Sequence, residues 1–534
     1  MADTLQTFSD LDHARCVAAG RRAIADFDRG VRASGLPECL QVMGRQSAWQ
    51  LALITRRLQG TLPAGPWSMR DGVGRWREAT TLDGAIEVLL PRILDKGLGH
   101  GVGDGRPPVA ALYRRLCALT ASRLGRGRKW ALTPTGKLKL GFGSAFERAG
   151  FSVGSLRTTE GGWGDYARLW RGFRSGRAGL AIPPLPADSP EVRGAMAALT
   201  ELQGRYSDPL VRSAWRLYLP YLARNASSML ALVADGPELM QRLDAAFAVG
   251  YEANSWLSAA LLEAARRGGR PGVVVNHNSH RPAQTPIADA VLETLFWQRT
   301  DNPLVSLAGH WSMALPAPPV RNPQTKVAFY RAEYPGASPR SGTRFRLLHA
   351  GNYQNWSDFF PWVSETADEY LRGLRRLAGA AAGIPDIELV IRVRLKAEVD
   401  ADVVRRAVPE AANVTVVTTD TDFLTQLAES DLLVSHFSTT VEQALQMGKP
   451  VLLWGSAHRY CQVPPRLGPP TSGSRAAVYA VQDARDLPAM LASLRAHHSG
   501  RPLTDSEVAP FRIPADRPDV HGFARTVARE LGLP

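Results

Sequence analysis

Ser435, His436, Ser438, Thr439 and Thr440 follow a short apolar run, Leu432 to Val434, and precede Val441, Ala444 and Leu445 at helical spacing. Thr439, followed three residues later by Glu442, has the form of a capping box, so the spacing predicts a helix whose N-terminus lies where the strand ends. Gly448 and Pro450 stop that helix. Hydroxyls beside orphan backbone N–H groups suit an oxyanion, and a helix N-terminus favours negative charge. Capping alone is the other use for Thr439 and Glu442, and the surroundings must decide between the two.

Other strand ends in this half of the chain offer matching chemistry. "FRLLHAG" ends at His349 and Gly351, with Asn352 and Tyr353 just after. "IELVIRVRLK" ends in Arg392, Arg394 and Lys396, alternating with Val393 and Leu395 on the opposite face. A guanidinium donates parallel, charge-assisted hydrogen bonds that fit a phosphate, so arginines and a helix terminus at one sheet edge are suited to a diphosphate. The competing reading of this segment is an edge strand with solvated charges.

A second constellation lies upstream. "AAFAVGYEANSWLSAALLEAARRGGRPGVVVNHNSH" reads as a strand over 246–249, an amphipathic helix ending at Gly268 and Gly269, and a strand over 273–275. Parallel βαβ units present functional groups at the carboxyl ends of their strands. Tyr251, Glu252 and Asn254 therefore share a rim with Asn276, His277, Ser279 and His280.

These residues need two doubly wound sheets to hold them. Residues 1–125 are helix-biased, with apolar residues three or four apart in "ARCVAAGRRAIADFDRGVRA", "SAWQLALITRRLQ" and "LDGAIEVLLPRILDKG". "GLGHGVGDGRPP" reads as a linker, and "TPTGKLKLG" lacks the spacing of a phosphate loop. Strands and helices alternate over 126–320 and again over 321–534, around a proline-rich connection at 314–344. The expected fold is α/β, two Rossmann-like domains facing across a cleft, with an N-terminal helical extension and a C-terminal helix counted in the second domain.

Composition limits the partners. The 534 residues carry 64 basic and 50 acidic side chains, a formal charge of +14, which favours an acidic ligand or surface. Arginines are spread along the chain without a basic tail, so nucleic acid is not expected. Cys16, Cys39, Cys117 and Cys461 show no paired spacing and read as reduced thiols. The N-terminus has no signal-peptide pattern and no apolar run reaches membrane-spanning length, which points to the cytoplasm. "WRLYLPYLARNASSMLALV", at 215–233, reads as a buried helix and leaves peripheral contact with the inner membrane open.

Three segments, "RLLHAGNYQNWSDFFPWVSETADEYLRGL", "ELVIRVR" and "SDLLVSHFSTTVEQALQMGKPVLLWG", in that order, resemble the C-terminal half of GT-B-type glycosyltransferases, particularly bacterial proteins of surface-carbohydrate and capsule biosynthesis. "VVVNHNSH" is similar to a strand and loop near the end of their N-terminal domain. The resemblance spans roughly residues 240 to 500 and implies sugar transfer from a nucleotide-sugar co-substrate to a glycan or lipid-linked acceptor, with no bound cofactor. It implies that Ser438, Thr439 and Thr440 receive the donor phosphate, with Ser435, His436, Gly351, Arg392 and Arg394 around them, and that Glu442 either bonds the donor ribose or caps. The chain lacks the "RPHP"-like ending of polyol-phosphate transferases and the aspartate-serine-glycine loop of the 2-epimerases of this fold.

Leaving-group charge can be met by arginine and a helix terminus, so metal independence is expected; no DxD motif lies in a plausible loop, and "DTD" at 420–422 reads as a helix cap. A base for the acceptor hydroxyl is expected on the N-terminal rim. His280 is the choice, with His277, Glu252, Asp289 and His310 as further candidates. A nucleotide-sugar isomerase or epimerase, and a non-catalytic assembly protein, are the alternative readings.

Overall fold

The computed structural model describes residues 10–61, 66–70, 76–88, 129–134, 141–158, 167, 170, 178–251, 256–275, 302–311, 324–331, 343–350, 367–393, 399–418, 422–435, 438–455 and 463–533, with single breaks at 33 and 183. Among the described residues, two parallel sheets of seven strands carry the fold. Central strands such as Gly272–Val275, Leu432–Val434 and Val451–Leu453 are continuous, fully buried apolar runs, as sheets covered by helices on both faces favour.

The first sheet has the order β5-β4-β3-β6-β7-β8-β9. Its strands are β3 (Trp130–Thr133), β4 (Ser152–Thr158), β5 (Ala178–Ile182), β6 (Ala245–Tyr251), β7 (Gly272–Val275), β8 (Leu307–Trp311) and β9 (Lys326–Tyr330). Helices α1 (Asp10–Val31) and α2 (Glu38–Thr61) precede it, with an antiparallel hairpin of β1 (Trp67–Arg70) and β2 (Trp76–Ala79). Helix α3 (Phe142–Arg148) follows β3, and α4 (Pro190–Gln203), α5 (Pro209–Arg242) and α6 (Trp256–Arg267) come later in the chain.

The N-terminal helices do not stand apart. Phe27, Leu40 and Leu51 share one core with Trp130, Leu132 and Val274 of the sheet and with Trp215 and Tyr218 of α5. The segment 215–233 is thus part of a buried helix. Side chains distant in sequence pin the assembly: fully buried Glu263 on α6 accepts from Cys39 N at 2.6 Å in the first turn of α2 and from Arg267 at 2.9 and 2.5 Å. Asp26 on α1 accepts from Ser207 N at 2.8 Å and from its hydroxyl at 2.7 Å, and Asp208, the N-cap of α5, pairs with Arg56 of α2. Burial, then the neighbouring Glu263 carboxylate, push the Cys39 thiol well up from its ordinary range.

The second sheet has the order β12-β11-β10-β13-β14-β16-β15. Its strands are β10 (Phe345–His349), β11 (Ile387–Val393), β12 (Val414–Thr418), β13 (Leu432–Val434), β14 (Val451–Leu453), β15 (Arg466–Leu467) and β16 (Val478–Ala480). Helices α7 (Ala367–Ala382), α8 (Ala401–Ala407), α9 (Phe423–Ala428), α10 (Thr439–Gln446), α11 (Leu487–His498) and α12 (Asp505–Val508) wind around it. β11 is an interior strand, so the edge-strand reading of Arg392 does not hold.

The expected boundary at residue 320 shifts. β9 lies beyond it and is the outer strand of the first sheet, because Lys326–Tyr330 pairs with β8 residue for residue. The last helix, α13 (Val520–Glu530), also returns to the first sheet, with buried Phe523 against Phe142 and Tyr330 at ring-centroid distances of 5.6 and 5.1 Å. Gly309 permits this approach: a Cβ there would lie 2.4 Å from the tip of the Phe523 ring. Where the chain leaves the second domain, the Gln446 amide donates to Phe511 O at 2.7 Å and accepts from Ile513 N at 3.2 Å. No described helix is long and apolar enough to cross a membrane.

One buried histidine gives the second domain a pH signature. The Tyr479 hydroxyl accepts from Ala476 N at 2.7 Å and lies within hydrogen-bond distance, 2.9 Å, of His498 Nε2. Burial, reinforced by the nearby Arg475 charge, lowers His498 to about 4. Because the folded value lies below the unfolded one, the contribution is complete above about pH 6.5 and declines toward pH 4, by at most about 1.4 kcal/mol per pH unit. Urea denaturation from pH 7 to 4 is expected to show this slope, and His498→Gln to flatten it. Equal slopes in the two proteins would overturn the assignment.

Candidate functional site

The connections from β10 run through β11 to β12 on one side, and those from β13 run through β14 to the other edge. Such a reversal of strand order opens a crevice at the carboxyl ends of the two strands, where ligands of open α/β sheets sit. The hydroxyl-rich segment predicted to bind an anion lies at this point. β13 is fully buried, and Ser435, one residue beyond it, is fully buried too. Among the described residues nothing hydrogen-bonds the Ser435 hydroxyl.

The helix begins one residue earlier than the spacing predicts. Ser438 is the N-cap: its backbone is extended and its Oγ accepts from Thr440 N at 3.2 Å. The Thr439 capping box is therefore corrected, because with Ser438 as cap the third helical position is Val441 and Glu442 falls at the fourth. Glu442 instead lies fully buried on the inner face of α10 with Val441, Ala444 and Leu445. Thr440 Oγ1 donates across the crevice to Ala350 O at 3.2 Å.

Other groups around the crevice take roles that the structure assigns. Lys449 is buried and donates from Nζ to Ala428 O at 2.9 Å and Ser430 O at 2.6 Å. It thereby holds the end of α9, and burial lowers its pKa against the opposing Asp431 charge. Gly448, with φ of 70°, makes the left-handed turn that ends α10 and brings Lys449 back. Arg392 is half-buried on the face covered by α9, its guanidinium carbon 5.3 Å from the centroid of the Phe423 ring. It stands two strands from β13, about 10 Å at ordinary strand spacing. His349 is buried on the α7 side, its ring 6.3 Å from that of Tyr370. Asp422 caps α9, accepting from Thr425 N at 3.2 Å, as the "DTD" segment suggested.

Gly351, Arg394 and His436 lie outside the described residues, as do Glu252, His277, His280 and Asp289. The strands leading to the last four are described: Tyr251 at the end of β6 is in register with Val275 at the end of β7, and Val275 with Gly309 of β8, the residue before His310. In this sheet the strand order reverses between β3 and β6, so the chain leaving Tyr251 flanks its crevice and the chain leaving Val275 is one strand removed. Among the described residues no three metal-ligating side chains gather.

No family model matches the chain, and no curated protein matches it. Solved structures do. MurG of Acinetobacter baumannii is 12% identical over 76% of this chain and 99% of its own, with a TM-score of 0.41. A UDP-glucosyltransferase from Polygonum tinctorium capable of glucosylating indoxyl is 12% identical over 76% of this chain and 98% of its own, at 0.43. HepE of Anabaena, in complex with UDP-glucose, is 13% identical over 76% of this chain and 99% of its own, at 0.39. At TM-scores below 0.5 these likenesses carry no weight for substrate or mechanism, and the two-domain α/β fold rests on the strand orders above.

Proposed function

We propose that the chain is a glycosyltransferase of GT-B type, taking a nucleotide-sugar donor at the second domain and a glycan or lipid-linked acceptor at the first. The observation that carries this reading is the buried Ser435 hydroxyl beside the N-terminus of α10, at the switch point of the second sheet. Burying a hydroxyl without a partner costs stability, so its presence at an anion-suited terminus is accounted for by a ligand that accepts from it. The donor diphosphate is that ligand: it takes the Ser435 hydroxyl and the orphan N–H groups of the first turn of α10, and Glu442 lies beneath. The motif resemblance supports a surface-polysaccharide acceptor.

The test is calorimetric titration with UDP, GDP and CDP, followed by transfer assays with their sugars with and without a chelator. Ser435→Ala is expected to lower nucleotide affinity about tenfold or more, as the loss of a hydrogen bond to a charged group does. Its melting temperature is expected to hold or rise, because the uncompensated hydroxyl is gone. A variant that melts earlier and binds nucleotide as tightly as the parent sinks the assignment. Release of free sugar isomer without any transfer would favour the isomerase reading.

A further inference from the structure

β10 and β13 are hydrogen-bonded neighbours, with His349 in register with Val434, yet their connections depart in opposite directions. One residue past β10, Ala350 N donates to Val434 O at 3.2 Å and continues the ladder. The Ala350 carbonyl accepts from Thr440 Oγ1 at 3.2 Å, across 90 residues of sequence. Both backbone groups of this buried residue are thus held by the β13–α10 segment. The hydroxyl is not needed for capping, since Ser438 caps α10.

We infer that Thr440 is a positioning residue of the donor site, whose hydroxyl fastens the end of β10 to the first turn of α10 and sets the width of the crevice between them. The inference rests on the nucleotide-sugar reading, and it changes the role of Thr440 from phosphate contact to brace. Three of the four hydroxyls described at this terminus then divide the work: Ser438 caps, Thr440 braces and Ser435 meets the ligand. A β-branched side chain suits the task, because its restricted χ1 keeps the hydroxyl aimed at one acceptor. A crevice held at fixed width also loses less freedom when a ligand enters, which favours affinity.

The experiment uses Thr440→Val, which keeps the shape without the hydroxyl, and Thr440→Ser, which keeps the hydroxyl. In the free protein, hydrogen exchange of the peptide spanning residues 346–351 is expected to speed up in Thr440→Val and to match the parent in Thr440→Ser. Affinity for whichever of UDP, GDP or CDP binds the parent tightest is expected to fall about tenfold in Thr440→Val and to be restored in Thr440→Ser. Lost affinity with unchanged exchange would mean that Thr440 touches the ligand directly, and would overturn the brace. Faster exchange with unchanged affinity would reduce the bond to a fold contact and overturn it equally. A parent protein that binds none of the three nucleotides defeats the donor-site reading itself, while the exchange measurement still reports whether the tie exists.

Discussion

Phe523→Ala is expected to destabilise the first domain by about 3–5 kcal/mol, the usual cost of emptying a buried aromatic site. Phe523 is fully buried where Phe142 and Tyr330 meet, and it lies over Gly309 of β8, where no side chain could be accommodated. The same face of the sheet buries Phe146, Phe151 and Phe247, so removing the ring opens a cavity in an aromatic layer. Polar contacts around it offer little compensation: Arg148 meets His521 at 3.0 Å on the surface, and the Lys326–Glu530 pair is exposed. Urea denaturation followed by tryptophan fluorescence is the measurement. The expected result is an early transition of the first domain, with the second domain's midpoint unchanged. If Phe523→Ala merely frees the terminal residues and leaves the first transition in place, α13 is an accessory and the domain closes without it.

His280→Gln is expected to lower turnover roughly 10²- to 10⁴-fold while leaving donor affinity near that of the parent. The separation follows from the proposed division of labour: the base takes the acceptor proton at the first domain, and the phosphates are held at the α10 terminus of the second. The rate with acceptor is also expected to fall on acidification, because a protonated imidazole cannot accept a proton. Near-normal turnover would remove His280. The topology then ranks Glu252 next, since it follows β6 at the reversal of the first sheet, ahead of His277 and Asp289 after β7 and His310 within β8. Loss of nucleotide binding in His280→Gln would place this loop on the donor side of the cleft.

The sequence alone determined what depends on neighbours a few residues apart. Alternating apolar runs and amphipathic helices specified the parallel β/α units, the strand over 432–434 with its helix, and Asp422 as a cap, because periodicity and capping are local properties. The helix start at α10 was legible only to within one residue: Ser438 and Thr439 are both good caps, and the backbone conformation at Ser438 decides between them. Tertiary structure alone decided which sheet β9 joins, where α13 docks and that α1 and α2 share the first core, since strand order and helix docking are set by contacts across hundreds of residues. The use of each polar group was decided there too. Thr440 and Ser435 look alike in the sequence, yet one hydroxyl reaches the Ala350 carbonyl and the other is buried without a protein partner among the described residues. Lys449 is turned by Gly448 onto the carbonyls that end α9. A hydrogen bond depends on distance and direction, and those exist only once the strands that carry the groups are side by side.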